Sequence, residues 1–463
     1  MKVAVVYPRL RHQTKSFLPP LGPTLVATMA RDAGFDVRMF DSSFDVDLTP
    51  LTRDLKAFAP QVVASSVSTD LYPAARRVSD TARDLGAVSV MGGPHASLER
   101  GRLLEQTPSL DLVVAGEAEQ SFPLLLRCLA RGRRPDQVPG VIQRDEAGGL
   151  EEGLDAPWQR DLDAFPFPDR ELLPTYARYS DSGFTELILS RSCPFSCRYC
   201  QPTLSRVAGP YRKRGAVNVV DEIEQLYRRY GNDSFLIDDD LFVFDKRWLR
   251  QIVEELERRD LAGKLRFIAL GRPDTFDEEA AALLARMGLY YVLFGVESGS
   301  QRMLDAMGKG VTLAQIRRAF AIARRHCFRT HAFVILGAPG ETPGTLRKTE
   351  ELLRQLKPSS VFISLFAPTL GTSFYEELYG EGLLDLRSTE HSSYYSWMDG
   401  ALTFRSTTVS YAQVEACRDR ILRSRRLRFW VSNAADALGT LLRERSPRRM
   451  LMQIGRASCR ERV

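Results

Sequence analysis

At 463 residues, 44% of them hydrophobic and 26% charged, the chain has the length of two or three domains and the balance of a soluble globular protein, which excludes extensive disorder. Its formal net charge of +6 is modest and its arginines alternate with acids, as in EELERRD (254–260), so nucleic acid is not an expected partner. No apolar run nears the ~20 residues of a bilayer span, MKVAVVYPRL makes no secretory h-region, and the seven cysteines form no disulfide framework; the expectation is a cytoplasmic protein with reduced thiols and no membrane partner.

Residues 1–140 alternate apolar runs, KVAVVY (2–7), DVRMFD (36–41), VVASSVS (62–68), VSVMGG (88–93) and LDLVVAG (110–116), with helical patterns such as TLVATMARDAG (24–34) and AARRVSDTARDLG (74–86). Short β-rich runs separated by helices predict an α/β, doubly wound domain, a parallel sheet with helices on both faces. From 141 to 180 the periodicity disappears, and AFPFPDRELLP (164–174) holds three prolines that stiffen it and withdraw backbone donors. This stretch is expected to be an ordered linker.

A second series of β/α units occupies 181–375: TELILS (185–190), SFLIDDD (234–240), LRFIAL (265–270), YYVLFGVES (290–298), THAFVILGA (330–338) and SSVFISLFAP (359–368). Six units predict a partial barrel, two short of eightfold closure and open enough for a large substrate. From 376 to 453 the pattern is mainly helical, with a Tyr/Ser-rich interruption, HSSYYSWMDG (391–400), read as lining or covering the barrel mouth. The basic run RSRRLRFW (423–430) reads either as a nucleic-acid or membrane patch or as a solvated helix face with its apolar residues turned inward. The last ten residues, IGRASCRERV (454–463), look like one reading frame of a sequencing adapter, so the expectation is an artefact following a gene truncated near Met452, with a natural basic tail as the alternative. Without their three arginines and one glutamate the net charge falls from +6 to +4, and Cys459 carries no meaning.

In LSRSCPFSCRYCQP (189–202), Cys193, Cys197 and Cys200 have the spacing C-x3-C-x2-C just beyond the first barrel strand. Thiolates are the ligands of iron-sulfur clusters, and three of them leave one iron open for a further ligand. Zinc and bare structural thiols are the rival readings; structural zinc wants four ligands, and no fourth Cys or His lies nearby in sequence. The segment resembles the signature of the radical S-adenosylmethionine (SAM) superfamily, C-x3-C-x-aromatic-C, with Tyr199 as the aromatic. The resemblance runs through all six strands of the barrel and implies a 4Fe-4S cluster whose open iron takes the amino and carboxylate groups of SAM. One electron then splits SAM into methionine and a 5′-deoxyadenosyl radical.

The same resemblance assigns roles to single positions. The backbone of Tyr199 is expected to face adenine, and Asp238 and Asp239 to receive the SAM ammonium, the alternative being a helix N-cap or barrel-end carboxylates. Arg272, just after the third strand, is expected to pair with the SAM carboxylate, with a surface ion pair as the alternative. Glu297 and Ser298 end the fourth strand, where relatives place polar groups against the SAM ribose. In VILGAPGET (334–342), Gly337 is expected to allow close backbone approach to adenine, while Pro339 and Gly340 shape the following turn. The set VESGS, MGKG and GAPGET is more specific than any single Gly-rich loop.

The first domain resembles the cobalamin-binding domain that precedes the barrel in one large radical SAM class. The residues that carry this are PPLGPTLVATMARDAG (19–34), SSVST (65–69), GGPHAS (92–97) and AGEAEQSF (115–122). Ligands on doubly wound sheets sit beyond the strand C-termini, where these loops fall. Gly92 and Gly93 are expected to leave room for the nucleotide tail of cobalamin, and Ser66 and Ser68 to offer it hydroxyls. The cobalt-ligating motif D-x-H-x2-G is absent: His12 stands without the Asp or the Gly, and His95 reads as a loop contact. Relatives include domains without the axial histidine, and some without cobalamin.

The expected function is cobalamin-dependent methylation of an unactivated carbon, or of phosphorus, in a small-molecule biosynthetic intermediate, with flavodoxin or ferredoxin as electron donor. The alternatives are a radical SAM cyclase or rearrangement enzyme on the same scaffold, a methylthiotransferase, and a non-catalytic sensor. The methylthiotransferase reading is weakened because such relatives carry three further cysteines in the first domain, whereas residues 1–127 hold none.

Overall fold

Alternate residues of the first strands are buried in different cores: Val3 and Val5 on one side, Ala4 and Val6 on the other. Such strands are covered on both faces, which is why they read as continuous apolar runs rather than as alternating ones. The computed structural model describes residues 1–10, 18–180, 184–200, 209–384, 404, 406 and 408–424. β1 (Lys2–Tyr7), β2 (Asp36–Asp41), β3 (Val62–Ser66), β4 (Val88–Gly92) and β5 (Leu112–Val114) pair in parallel in the order β2-β1-β3-β4-β5. Helices Leu21–Asp32 and Ala118–Ala130 cover one face, and Thr49–Phe58 and Tyr72–Asp84 the other. The chain leaves β1 toward β2 on one side and reaches β3 on the other, so the sheet has its switch point between the C-terminal ends of β1 and β3.

The expected linker is more structured than its sequence implies. Its first twelve residues are a hairpin, β6 (Val141–Arg144) and β7 (Leu150–Glu152), which extends the first sheet with two antiparallel strands to seven among the described residues. Asp145 makes the turn by accepting from the amides of Ala147 and Gly149. The remainder is a strap tied to both neighbours. Asp169 pairs with Arg31 of the first domain, Tyr179 donates to Asp41 at 2.8 Å, and Arg170 forms a buried 2.9 Å ion pair with Glu222 of the barrel.

In the barrel the strands β8 (Thr185–Leu187), β11 (Ser234–Ile237), β12 (Arg266–Gly271), β13 (Leu289–Glu297), β14 (Arg329–Leu336) and β15 (Ser360–Leu365) form one parallel sheet, ordered β15-β14-β13-β12-β11-β8. These are the six units expected, and among the described residues β8 and β15 do not pair to close the ring. Phe235, Phe267, Phe294 and Val334 point to the helix-covered side, while His331, Phe333 and Ile335 of β14 alternate onto the half-buried concave side. Between β8 and β11 a short antiparallel ladder, β9 (Ser190–Arg191) with β10 (Arg212–Lys213), closes the base of the cysteine-bearing loop.

Helix Tyr411–Arg423, opened by a Ser410/Gln413 capping box, sets Val414, Cys417 and Ile421 into the barrel core. His12, HSSYYSWMDG (391–400), residues 425–430 of the basic run and the last ten residues lie outside the described residues. No helix among the described residues is long and apolar enough to cross a membrane.

Candidate active site between the first sheet and the barrel

The cysteine loop is fixed from beneath by a carboxylate. Asp239, buried after β11, accepts from the Leu189 amide and the Ser190 hydroxyl, both at 2.7 Å. Ser192 then turns the chain with φ +71°, and its hydroxyl donates to the Gly209 carbonyl at 2.8 Å. Further along, the Arg198 amide donates to Met307 O at 2.9 Å and the Phe374 amide to Arg198 O at 3.1 Å, so the loop is also stitched to MGKG and to helix Ser373–Gly380.

Cys197 is buried, while Cys193 and Cys200 are half-buried. Burial, with Cys197, Asp240 and Cys193 as negative neighbours, pushes the Cys200 thiol up to about 12, and burial raises Cys193 as well. Thiols held up in this way become thiolates only around a cationic centre, which iron supplies. Three cysteine donors on one loop can give one thiolate to each of three irons, so the donor set fits a three-cysteine cluster.

Arg272 packs its guanidinium on the Phe195 ring at 3.8 Å, donates to Cys197 Sγ at 3.6 Å and to the Lys309 carbonyl, and pairs with Asp274 at 2.7 Å. It is buried beside the cluster loop, so its ion pair with Asp274 is an interior rather than a surface one. The Lys309 ammonium lies 2.8 Å from Glu297 and 3.3 Å from the Tyr199 hydroxyl. Glu297 adopts φ +60°, and a Cβ on Gly295 would fall 2.5 Å from its carboxylate and 2.7 Å from the Lys309 Nζ. Gly295 is thus needed for this buried pair to lie across the end of β13. Burial, then the Glu297 carboxylate, holds the Tyr199 phenol well above its ordinary value, so it stays neutral. The set VESGS, MGKG and GAPGET assigns no role to Lys309, and only the fold carries this lysine back to Tyr199.

The acidic run requires a correction. Asp238 and Asp239 were expected as a pair, but successive residues leaving a strand face opposite ways. Asp239 is spent beneath the loop, and Asp240 joins Asp238 on the open side. Burial pushes Asp239 up to about 7 and Asp240 to about 6. Ser298 is likewise turned inward: its hydroxyl meets Thr349 Oγ1 at 3.3 Å and accepts from the Ser300 amide at 3.2 Å, bracing the turn after β13. Gly337, at φ +82°, donates its amide to buried Glu341 at 3.0 Å, and Thr345 holds the other Glu341 oxygen at 2.8 Å. Glu341, the acid of GAPGET, locks that turn from within.

A cleft of about 430 Å³ lies beyond the C-terminal ends of β1, β3, β4 and β5, at the switch point. Ser65, Ser66, Gly92, Gly93, Ser97 and Gly116 line its first-domain wall over a floor of Val5, Ala64, Val90 and Val114. Across it stand Ile188, Arg191, Ser192, Asp238 and Asp240 from the barrel. Gly93 has φ +102°, and a Cβ there would lie 3.0 Å from the backbone N and O of Val67. The expectation for Ser68 is corrected, since its hydroxyl donates to Asp70 at 2.5 Å and the residue does not line the cleft. His95 is buried against Tyr72 with Nδ1 3.2 Å from Thr69 Oγ1, and it too is not in the lining.

The comparisons with known proteins agree with this arrangement. The radical SAM superfamily model matches residues 187–353, and the B12 binding domain model matches residues 10–126. An uncharacterized methyltransferase of Pyrococcus horikoshii is 28% identical over 393 residues, 83% of this chain and 84% of its own. The anaerobic magnesium-protoporphyrin IX monomethyl ester cyclase of Cereibacter sphaeroides is 26% identical over 396 residues, 82% of this chain but 64% of its own. Among solved structures, the cobalamin-dependent S-adenosylmethionine radical enzyme OxsB, with aqua-cobalamin and S-adenosylmethionine bound, shares the fold at TM-score 0.75 and 15% identity, over 99% of this chain and 71% of its own. A 4Fe-4S cluster, SAM and cobalamin are accordingly the cofactors of this enzyme, and zinc drops out as the metal. The chain belongs to the radical SAM superfamily, with a B12 binding domain ahead of its barrel.

Proposed function

We propose that the enzyme methylates an unactivated carbon, or phosphorus, of a small-molecule biosynthetic intermediate. The observation that carries this reading is that one cleft is shared by the switch point of the first sheet and the base of the cysteine loop. A methyl carrier seated on the first wall and a radical generated at the second would then face each other without a connecting channel. When bound, the cluster with SAM supplies a 5′-deoxyadenosyl radical, and cobalamin supplies the methyl group.

In this reading Cys193, Cys197 and Cys200 hold the cluster, and Arg272 donates a charge-assisted hydrogen bond to Cys197. Asp238 and Asp240 present carboxylates to the SAM ammonium from the open side. Glu297, held by Lys309, and the backbone at Tyr199 and Gly337 form the nucleoside side of the site. Ser66, Gly92 and Gly93 give room and a hydroxyl to the corrinoid tail. The apolar floor keeps water from the reacting groups. A small reduced flavodoxin or ferredoxin supplies the electron.

The test is incubation of anaerobically reconstituted enzyme with methyl-labelled SAM, a reductant and a small-molecule extract of the source cells. Label should pass into a low-mass product other than methionine while 5′-deoxyadenosine accumulates. Nucleoside release with the label confined to SAM, methionine and corrinoid would instead favour the second reading, cyclisation or rearrangement, which the likeness to the cyclase supports.

A further inference from the structure

Two carboxylates of the first domain close on the base of the cysteine loop. Glu117, just before helix Ala118–Ala130, has every acceptor position in use. Its Oε1 takes Arg191 Nη1 and Arg212 Nη2, each at 2.8 Å, and its Oε2 takes Arg212 Nη1 at 2.9 Å and the Gln159 amide at 3.2 Å. Glu119 binds the remaining arm of Arg191. Arg191 and Arg212 are cross-ladder partners in β9 and β10, so one carboxylate grips both sides of the loop's neck. The rings of Phe165 and Trp158, from the strap, lie 5.2 Å and 5.6 Å from the two guanidinium groups.

A ladder of two residues per strand, β9 with β10, closes the base of the loop, and isolated pairings of that length are not stable in water, so the neck is held by what packs on it: Asp239 from beneath and the two carboxylates of the first domain. The clamp is strong. Arg212 is 5% exposed and Glu117 12%, so the pairs are shielded from the screening that weakens surface salt bridges. Burial opposes ionisation of Glu117, yet Arg212 and Arg191 hold its carboxyl below the usual range. Glu117, Glu119 and Arg191 also line the cleft, which puts the clamp on the wall between the switch point and the cysteines.

We infer that Glu117 is a positioning residue for the cluster loop: the B12 binding domain holds the neck of that loop in register with its own cleft, and Glu119 adds a weaker second hold. The acids of AGEAEQSF thus serve the neighbouring domain rather than only their own ligand. The role of the loop comes from the cofactor reading above, but the first measurement below does not depend on it.

Hydrogen exchange of the full chain without cofactors, followed by mass spectrometry, should show residues 187–200 exchanging about tenfold faster in Glu117→Gln than in wild type, with a smaller rise in Glu119→Gln. Helix Leu313–Arg325, on another face of the barrel, should be unchanged. Arg191→Lys keeps the charge but loses the fork, and should fall between wild type and Glu117→Gln. After reconstitution, iron release to a chelator should follow the same order, while Asp136→Asn keeps the wild-type rate. Wild-type exchange over 187–200 in Glu117→Gln would overturn the proposal. So would an acceleration spread evenly over the chain, which marks general destabilisation; if Glu117→Gln does not fold, Glu119→Gln and Arg191→Lys decide by the same criterion. A protein that never takes up iron would defeat the cofactor reading and leave the exchange result standing.

Discussion

The two walls of the cleft are built on opposite plans. The first-domain wall offers serine hydroxyls, glycine backbone and an apolar floor, with its charges gathered at one margin in Glu117 and Glu119. The barrel wall offers charge, Arg191 with the carboxylates Asp238 and Asp240, and from Ser192 on it rises the loop whose Cys197 sulfur meets Arg272. A wall of the first kind recognises by room and shape, so it is damaged by added volume. A wall of the second kind acts through placed charge, so it is damaged when charge or a donor is removed with volume unchanged.

That contrast breaks most visibly at the sulfurs. Replacing Cys197 by Ala should strip cluster iron and lower 5′-deoxyadenosine release by about a thousandfold or more, measured by iron assay and chromatography. Corrinoid binding, followed by its visible absorption, should remain. Unchanged iron and nucleoside release in any of the three Cys→Ala variants would end the cofactor assignment. The reciprocal break is Gly93→Val. With φ +102° and Val67 backbone atoms 3.0 Å from the new Cβ, it should cost about 2–3 kcal/mol and abolish corrinoid binding while iron content holds. Corrinoid retained at wild-type affinity would show that the first wall does not work by shape.

Asp238 and Asp239 put the same contrast inside one wall. Asp239→Asn sets an amide donor against the Leu189 amide or the Ser190 hydroxyl, and should cost about 2 kcal/mol and loosen the cysteine loop. Asp238→Asn should leave the unfolding midpoint within about 0.5 kcal/mol and weaken SAM binding instead, as read by calorimetry. Equal effects at the two positions would refute the division of roles. This pair also marks where the sequence stops being legible. Strand runs and the C-x3-C-x2-C spacing are local patterns, and they carried the two sheets and the cluster loop. Which of two adjacent acids faces the cleft depends on the phase in which β11 ends, and that is set by packing of Phe235 and Ile237 against the helices. Lys309 and Glu117 depend on chain segments far apart in sequence, Lys309 lying 110 residues from Tyr199 and Glu117 lying 74 from Arg191. No local pattern encodes such pairings. The hairpin β6–β7 escaped because its strands are short and the prolines that follow dominate the stretch.

The smallest effect sharpens the comparison at the concave side of the barrel, away from the charged rim. His331 on β14 has Nδ1 against Ser360 Oγ and the Tyr291 hydroxyl, and its ring meets Phe333 at 4.6 Å. Burial lowers it from 6.5 to about 4, so the folded protein keeps it neutral where the unfolded chain would take a proton. Above pH 6.5 both states are neutral and the residue is silent. As pH falls below 6.5 the unfolded state gains the proton first, so stability is lost progressively until about pH 4, where the folded state protonates and the loss levels off. The shift alone sets an upper bound of about 3 kcal/mol, and partial exposure of the ring reduces it to about 1 kcal/mol. His331→Gln should therefore flatten the pH dependence of the barrel's unfolding midpoint between pH 7 and 4 by about that amount, measured by denaturant titration at each pH. A variant that follows the wild-type profile throughout would mean that His331 titrates normally and that this side of the barrel is wetter than its packing indicates.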